Sequence, residues 1–481
     1  METAVPQRTV GLDDRLAACA ADPRVVAGAV SVDICVGADV FLREQFGGNG
    51  RTCATCHRVD NNFTIDPAFI SKLPHNDPLF VAELDPALAG LEISAQMRSK
   101  SLILENVDGF DPDPRTHFVL RSVPHNFSMG TSVTRAPGDP VTTPAERTGW
   151  SGDGAPGGGT LRDFLTGAIT QHYTRTLARV PGTDFRLADD GELDRVDLFM
   201  RQLGRTNELA LASVVMSDAG AEVGRTTFIA VGCNLCHANA GANAAFGGGG
   251  NRNFDTGVES SRNADLRAFP HDGGFLRDPA NADGSFGDGT FNTPPLIEAA
   301  DTGPFFHTAT TVAGAPAHNT AIATVIEEAI AFYATPAFNN SPAGKILPIS
   351  LTAEQIDDIG RFLRGINAAF NAALAVKRLD ASAALVKQFP NTYLEIQREE
   401  LRLAKVEIRD AIRVLHGVPN LDAASLAQLK AAAALVDTAR RTHMPATRAK
   451  NISAARGLVS DASTRIGTNL TFQIGDGTVM F

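Results

Sequence analysis

The chain has 481 residues, 43% of them hydrophobic and 20% charged, which is enough material for two or three domains with a real core. Its formal charge of −11 and the lack of any basic stripe exclude nucleic acid as a partner. No apolar run approaches the roughly 20 residues that span a bilayer, so no transmembrane segment is expected, and the start METAVPQRTV lacks signal-peptide character and reads as mature or re-engineered.

In chain order, residues 1–35 form an N-terminal segment containing Cys19 and Cys35. A helical pattern ending in glycine, GADVFLREQFGGNG, then leads into CATCH at Cys53 to His57. Asn61 to Gly149 is rich in loops, and helices follow at about Thr160 to Leu177 and Gly191 to Leu203. A second helical pattern, GAEVGRTTFIAVG, leads into CNLCH at Cys233 to His237, so the first half is duplicated at low resolution. Ala238 to Ser285 is rich in Gly, Asn and Asp and reads as ordered loop. Helical periodicity resumes at Asn319 to Tyr333 and at Ala353 to Arg364, the latter opened by a capping box from Thr352 and Gln355. Asn391 to His416 is long and amphipathic, stopped by Gly417 and Pro419, and two alanine-rich helices complete a C-terminal hairpin or small bundle.

The two CxxCH motifs carry the chemistry. Cysteines at this spacing can form thioethers to both vinyl groups of one haem, and the histidine that follows places its imidazole beneath the iron. Cys53, Cys56, Cys233 and Cys236 are therefore the expected attachment sites of two covalent haem c groups, with His57 and His237 as iron ligands. Zinc needs four ligands per site, and a thioredoxin-like redox pair needs neither the histidine nor a duplicate. Thioether formation occurs outside the cytoplasmic membrane, so the expected location is periplasmic or secreted, where Cys19 and Cys35 either join as a disulfide or remain buried thiols. The fold class is mainly α: two c-type cytochrome lobes with long loops, residues 36–205 and 206–376, each holding one haem, plus a helical extension over 377–481.

Over about residues 36 to 368 the chain resembles the bacterial di-haem cytochrome c peroxidase and MauG superfamily. The resemblance rests on the two motifs, on LRSVPHNFS at Leu120 to Ser128, on Trp150 followed by Asp153-Gly154 and a helix, and on TGPFFH at Thr302 to His307 followed by IEEAIAFY. It implies a reacting N-terminal haem, an electron-storing second haem, and Trp150, the only tryptophan, as the relay between them. An indole is an oxidisable π-system, which agrees with that role. It also implies Tyr333 as the second iron's other ligand, with His318 as the rival, as in the RoxA-like rubber oxygenases. Arg121 and His307 are expected to hold haem propionates. Thr302 and Pro304 match carbonyl donors to a calcium ion between the lobes, whose asparagine partner is replaced here by Ser122.

The pattern departs from the family in the reacting pocket. Peroxide cleavage needs a group that takes a proton from one oxygen and returns it to the other, which the peroxidases do with a glutamate on the helix after the tryptophan. No Asp or Glu occurs from Phe164 to Arg179, Phe164 replaces a distal glutamine, and Thr174 stands where the glutamate is expected. The nearest polar candidates are His172, whose unperturbed pKa near 6.5 suits acid–base work, and Tyr173. His75, His117 and His125 are candidates for a removable sixth ligand. Three functions follow: activation of H2O2 at the first haem with electrons relayed through Trp150 from a small redox protein or other donor; O2-dependent oxygenation of an apolar substrate; or electron transfer alone. The extension after Lys377 covers the lobes, forms a homodimer interface or docks a partner.

Overall fold

Helices begin where the sequence supplies a cap. Ser31 accepts a hydrogen bond from the backbone of Ile34 to start α2 (Val32–Arg43), which packs on α1 (Leu12–Ala20). A disulfide joins the two helices through Cys19 and Cys35, whose Cα atoms lie 5.7 Å apart, so of the two states open to these cysteines the pair is the one formed. The computed structural model describes residues 10–105, 118–140, 142, 144–151, 158–246, 248–274, 288–309, 324–416 and 423–480. His117, Asp153, Gly154, His318 and Gly417 to Asn420 lie outside them, as does the stretch from Leu276 to Ser285.

The chain is mainly helical. A capping box of Thr160 and Asp163 opens α3 (Leu161–His172). This helix stops five residues short of the expected Leu177 because the Asn49 side-chain amide donates to the carbonyls of His172 and Thr174, each at 2.9 Å, and so satisfies the chain as it turns away. Asp189 and Glu192 box the start of α4 (Asp190–Arg201). The helix before each motif packs closely through a glycine. A Cβ on Gly37 of α2 would lie 1.9 Å from the carbonyl oxygen of Arg195 on α4. In the second half α5 (Ala219–Ala230) crosses α7 (Ala353–Gln388) in the same way, with a Cβ on Gly224 falling 1.8 Å from Asp358 O. Only glycine permits these backbone approaches. Between α5 and α7 lies α6 (Thr324–Phe332).

Strands are few: β1 (Leu102–Glu105) pairs antiparallel with β2 (Val119–Ser122), setting Ile103 opposite Arg121, and two-residue pairs join Asn253–Phe254 to Phe291–Asn292 and Val215–Met216 to Gly467–Thr468.

The helix expected to end at Arg364 runs on for 24 more residues, to Gln388. Gly365 costs it about 1 kcal/mol of propensity, but Ile359, Phe362, Leu363, Ile366, Phe370, Leu374 and Leu379 are all buried, and their packing outweighs that. The boundary drawn at 376/377 therefore falls inside α7. With α8 (Leu394–His416), α9 (Ala423–Arg441) and α10 (Pro445–Ile466) it forms a four-helix ring, α7 and α9 each packing on both α8 and α10. One apolar core runs from Phe41 and Phe199 through Phe228 and Phe362 to Leu401 and Val459, so the bundle and the rest of the chain share it. Among the described residues no helix is long and apolar enough to cross a membrane.

The bundle also buries charge. Arg378 donates to Glu407 at 3.0 Å, and Glu400, 1% exposed, lies 3.5 Å from Arg24. Burial, only partly offset by Arg378 and Arg24, pushes Glu400 from 4.5 up to about 7. The folded chain holds this proton more tightly than the unfolded one, so the stabilisation is complete below about pH 4.5 and is lost as pH rises through 7. Glu400→Gln should therefore flatten the stability profile, and in urea unfolding it should gain about 3 kcal/mol on the parent between pH 5 and 8.

Candidate functional site

A single continuous cavity of about 360 Å3 collects residues from both halves of the chain. Its wall includes Cys53, Cys56, His57, Cys233, Cys236 and His237, and also Trp150, Phe164, His172, Arg121, Thr302, Pro304, His307 and Tyr333. Most of the described residues expected at the site are therefore brought to one place; Thr174 and His75 are not.

Each motif forms one helical turn, Cys53–Cys56 and Cys233–Cys236, with the histidine as its C-terminal cap. Thr52 and Thr55 box the first turn. His57 Nδ1–H donates to Phe63 O at 2.9 Å and His237 Nδ1–H to Pro294 O at 3.0 Å. In each ring this leaves the lone pair on Nε2. Burial pushes both imidazoles down to about 4, so they are neutral at physiological pH. Burial also pushes the thiols up, to about 11 for Cys53, Cys56 and Cys236 and about 12 for Cys233. That is the reverse of the lowered pKa of a redox-active CxxC pair, and the four thiols are unpaired. Among the described residues no group of three or more His, Cys, Asp or Glu gathers as metal ligands would.

Trp150 lies where the halves meet. Its Nε1–H donates to Ser122 O at 2.8 Å, and Asn292 clamps its loop by donating to Trp150 O at 2.6 Å and to Thr148 O at 2.8 Å. The preceding residue must be glycine twice over: Gly149 has φ +54°, and a Cβ there would lie 2.9 Å from the Phe164 ring. Phe164 thus packs on one side of the tryptophan loop, while the indole itself joins the cluster of Phe291, Phe306, Phe332 and Tyr333. Burial, reinforced by Cys236 and Cys233, pushes the Tyr333 phenol up, so it stays protonated unless a cation faces it.

Several expectations change. His172 ends α3 in the cavity wall, but burial, then the charges of Arg51, Arg179 and His57, pushes it down to about 3, well below the 6.5 expected for it. It is a neutral acceptor across physiological pH. Thr174 lies beyond the helix, outside the wall, its hydroxyl bonded to Thr176 O. Tyr173 does reach the wall, donating to Cys53 Sγ at 3.1 Å. Arg121, expected on a propionate, is held by Asp272 through two bonds of 2.7 Å and also donates to Ser151 at 2.9 Å. His307 is 1% exposed, with Nε2 2.9 Å from Glu259 and its ring stacked 3.8 Å from Phe291. The carboxylates that take up these two side chains come from the Gly/Asn/Asp-rich loop, which offered no motif. His75 is exposed, whereas His125 is in the wall with its Nδ1 unpartnered and its pKa lowered by burial.

For calcium, Thr302 and Pro304 reach the wall, but the Ser122 hydroxyl donates to Phe306 O at 3.0 Å and Thr302 Oγ1 to Ala299 O at 3.1 Å. The backbone carbonyls of Thr302 and Pro304, the donors expected from the sequence, are two of the six to eight oxygens that calcium takes.

Two features of the wall had no sequence signal. Glu105, at the end of β1, is its only carboxylate among the described residues, with Arg121 at 3.7 Å. Arg51, next to the first motif, is 1% exposed and donates to the fully buried Glu92 at 2.8 Å. No family model, no curated protein and no solved structure matches the chain.

Proposed function

We propose that the chain is a di-haem c-type oxidoreductase that activates H2O2 at the first motif and exchanges electrons with the second through Trp150. The observation that carries this reading is that both CxxCH motifs and the only tryptophan line one cavity. The residues fit a haem at each motif: two thiols for the edge, one imidazole with its Nε2 lone pair for the iron, and an apolar wall. Bound there, haem supplies the redox chemistry, cleaving the O–O bond at one site and storing an electron at the other.

The protein's part is to bind, orient and move protons. The backbone carbonyls of Phe63 and Pro294 fix the ring orientations of His57 and His237 and raise their basicity toward iron. Reduction of peroxide consumes two protons and two electrons. His172, neutral at every physiological pH, offers a ring nitrogen as hydrogen-bond acceptor where the missing glutamate leaves the role open, although burial to a pKa of about 3 makes it a weak base. Glu105 is the one carboxylate of the wall among the described residues, with Arg121 at 3.7 Å. Trp150, held by Ser122 O and packed in the cluster with Tyr333, is the oxidisable ring that would relay charge. Tyr333, whose phenol feels Cys236 and Cys233, is the wall residue that would ligate the second iron. The Cys19–Cys35 disulfide supports a periplasmic or secreted location, and the electrons come from a small redox protein or another external donor.

A second reading is favoured by Phe164, an aromatic side chain in the wall beside Trp150 where the peroxidases have an amide: O2-dependent oxygenation of an apolar substrate. A stopped-flow spectrum of the ferric protein after one equivalent of H2O2 separates the two. Rapid spectral change with a long-lived oxidised product is the expected result. An unchanged spectrum, with a stable O2 complex in the reduced protein, favours the oxygenase.

A further inference from the structure

The two ends of the sequence differ in charge. Residues 377–481 carry 15 Lys and Arg against 10 Asp and Glu, whereas the preceding 376 carry 28 against 44. The excess cations are not spread evenly over the bundle. Arg398 from α8 meets Arg440 and Arg441 from the end of α9 around a surface pocket whose remaining lining residue is Asp437.

We propose that this pocket binds a phosphate-type dianion. Asp437 is already shared: Lys405 bonds to it, and Arg441 and Arg440 approach only to 3.8 and 4.0 Å. Arg398 has Glu395 at 2.7 Å, a carboxylate whose own side chain is 87% exposed and so weakened by solvent. Arg448 of α10, 2% exposed, bonds the chain neighbours of two of these arginines, its guanidinium donating to Gln397 Oε1 at 2.6 Å and to the carbonyl of Thr442 at 3.0 Å. Both acceptors are neutral. Burial, then repulsion from Arg398, pushes Arg448 below its ordinary value. Five cations thus share two carboxylates. Arg402, nearby on α8, is excluded from this count because Glu399 and Asp60 hold it at 2.7 and 2.8 Å.

A solvated basic face would spread its cations apart, since like charges repel. Here guanidinium groups from two helices converge on a concavity, with a buried arginine bonded to their chain neighbours. An ion with several acceptor oxygens and two negative charges suits such convergent forks, because arginine binds oxyanions through paired N–H donors. The same chemistry is presented by inorganic phosphate and by the phosphomonoester headgroup of an anionic lipid.

The test uses the full chain at fixed ionic strength. Calorimetric titration with inorganic phosphate should show saturable binding, weakened at least about tenfold in R440Q/R441Q. Both replaced side chains are partly or largely exposed, and an unchanged Tm without phosphate checks that the variant folds. Cosedimentation with phosphatidylcholine vesicles doped with phosphatidic acid identifies the source: capture that phosphate competes away and the variant lacks assigns the pocket to a headgroup, and saturable phosphate binding without capture assigns it to the free ion. No saturable phosphate binding, or equal binding by parent and variant, overturns the proposal, as does vesicle capture that neither phosphate nor the substitutions reduce.

Discussion

Replacing Cys233 and Cys236 together with serine should leave a protein that retains about half of its covalent haem, read by intact mass and by pyridine haemochrome absorbance per chain. The matching change at Cys53 and Cys56 should remove the other half. The two cysteines of each motif stand at either end of a single helical turn in the cavity wall, so under the proposed function each pair serves one group. Serine has nearly the same shape but forms no thioether, and the histidines keep their carbonyl partners in both variants. The chemical alternatives give different results. A zinc site would return metal and no haem, and a redox pair would return thiols that titrate near neutrality, against the values of about 11 and 12 to which burial pushes these four. A parent protein made in a haem-attaching host that carries no haem would remove the basis of the proposed function.

What the sequence disclosed follows from how local each signal is. The box of Thr352 and Gln355 starts α7 at the expected residue, because capping is settled within four positions. The motifs are equally local, and the glycines at 37 and 224 lie in the repeated patterns that precede them. The end of α7 was not legible, since Gly365 resembles a stop and only the packing of α5, α8 and α10 around the helix carries it on to Gln388. The partners of the buried site were further out of reach. Arg121 and Asp272 are 151 residues apart, and His307 and Glu259 are 48 apart on segments with no periodicity. Glu105 reads as an ordinary strand end until its register opposite Val119 brings it to the cavity. The shift of His172 is likewise a property of its surroundings: the residue type fixes a pKa near 6.5, and only burial beside Arg51 and Arg179 moves it.

Trp150→Phe should slow electron exchange between the two motifs about a hundredfold, equivalent to ~2.7 kcal/mol on the barrier, measured as re-equilibration after one-electron reduction by a light pulse. Phenylalanine keeps an aromatic ring in the cluster with Phe306, Phe332 and Tyr333, so the wall stays packed, but the benzene ring is much harder to oxidise than an indole. The substitution also leaves Ser122 O without the indole N–H that it accepts at 2.8 Å, at a cost of about 1–3 kcal/mol of stability. This second effect does not mimic the first, because unfolding free energy and electron-exchange rate are read separately. Phe164→Leu provides the contrast: it thins the contact on Gly149 while leaving the indole in place, so the exchange rate should hold although the pocket beside Trp150 widens. If Trp150→Phe exchanges electrons as fast as the parent, the indole is a packing residue, and charge passes between the motifs through the covalent frame and the cavity contents alone. If both variants slow exchange equally, the spacing across the Gly149 loop governs the rate, and the hydrogen bond to Ser122 serves to hold that spacing.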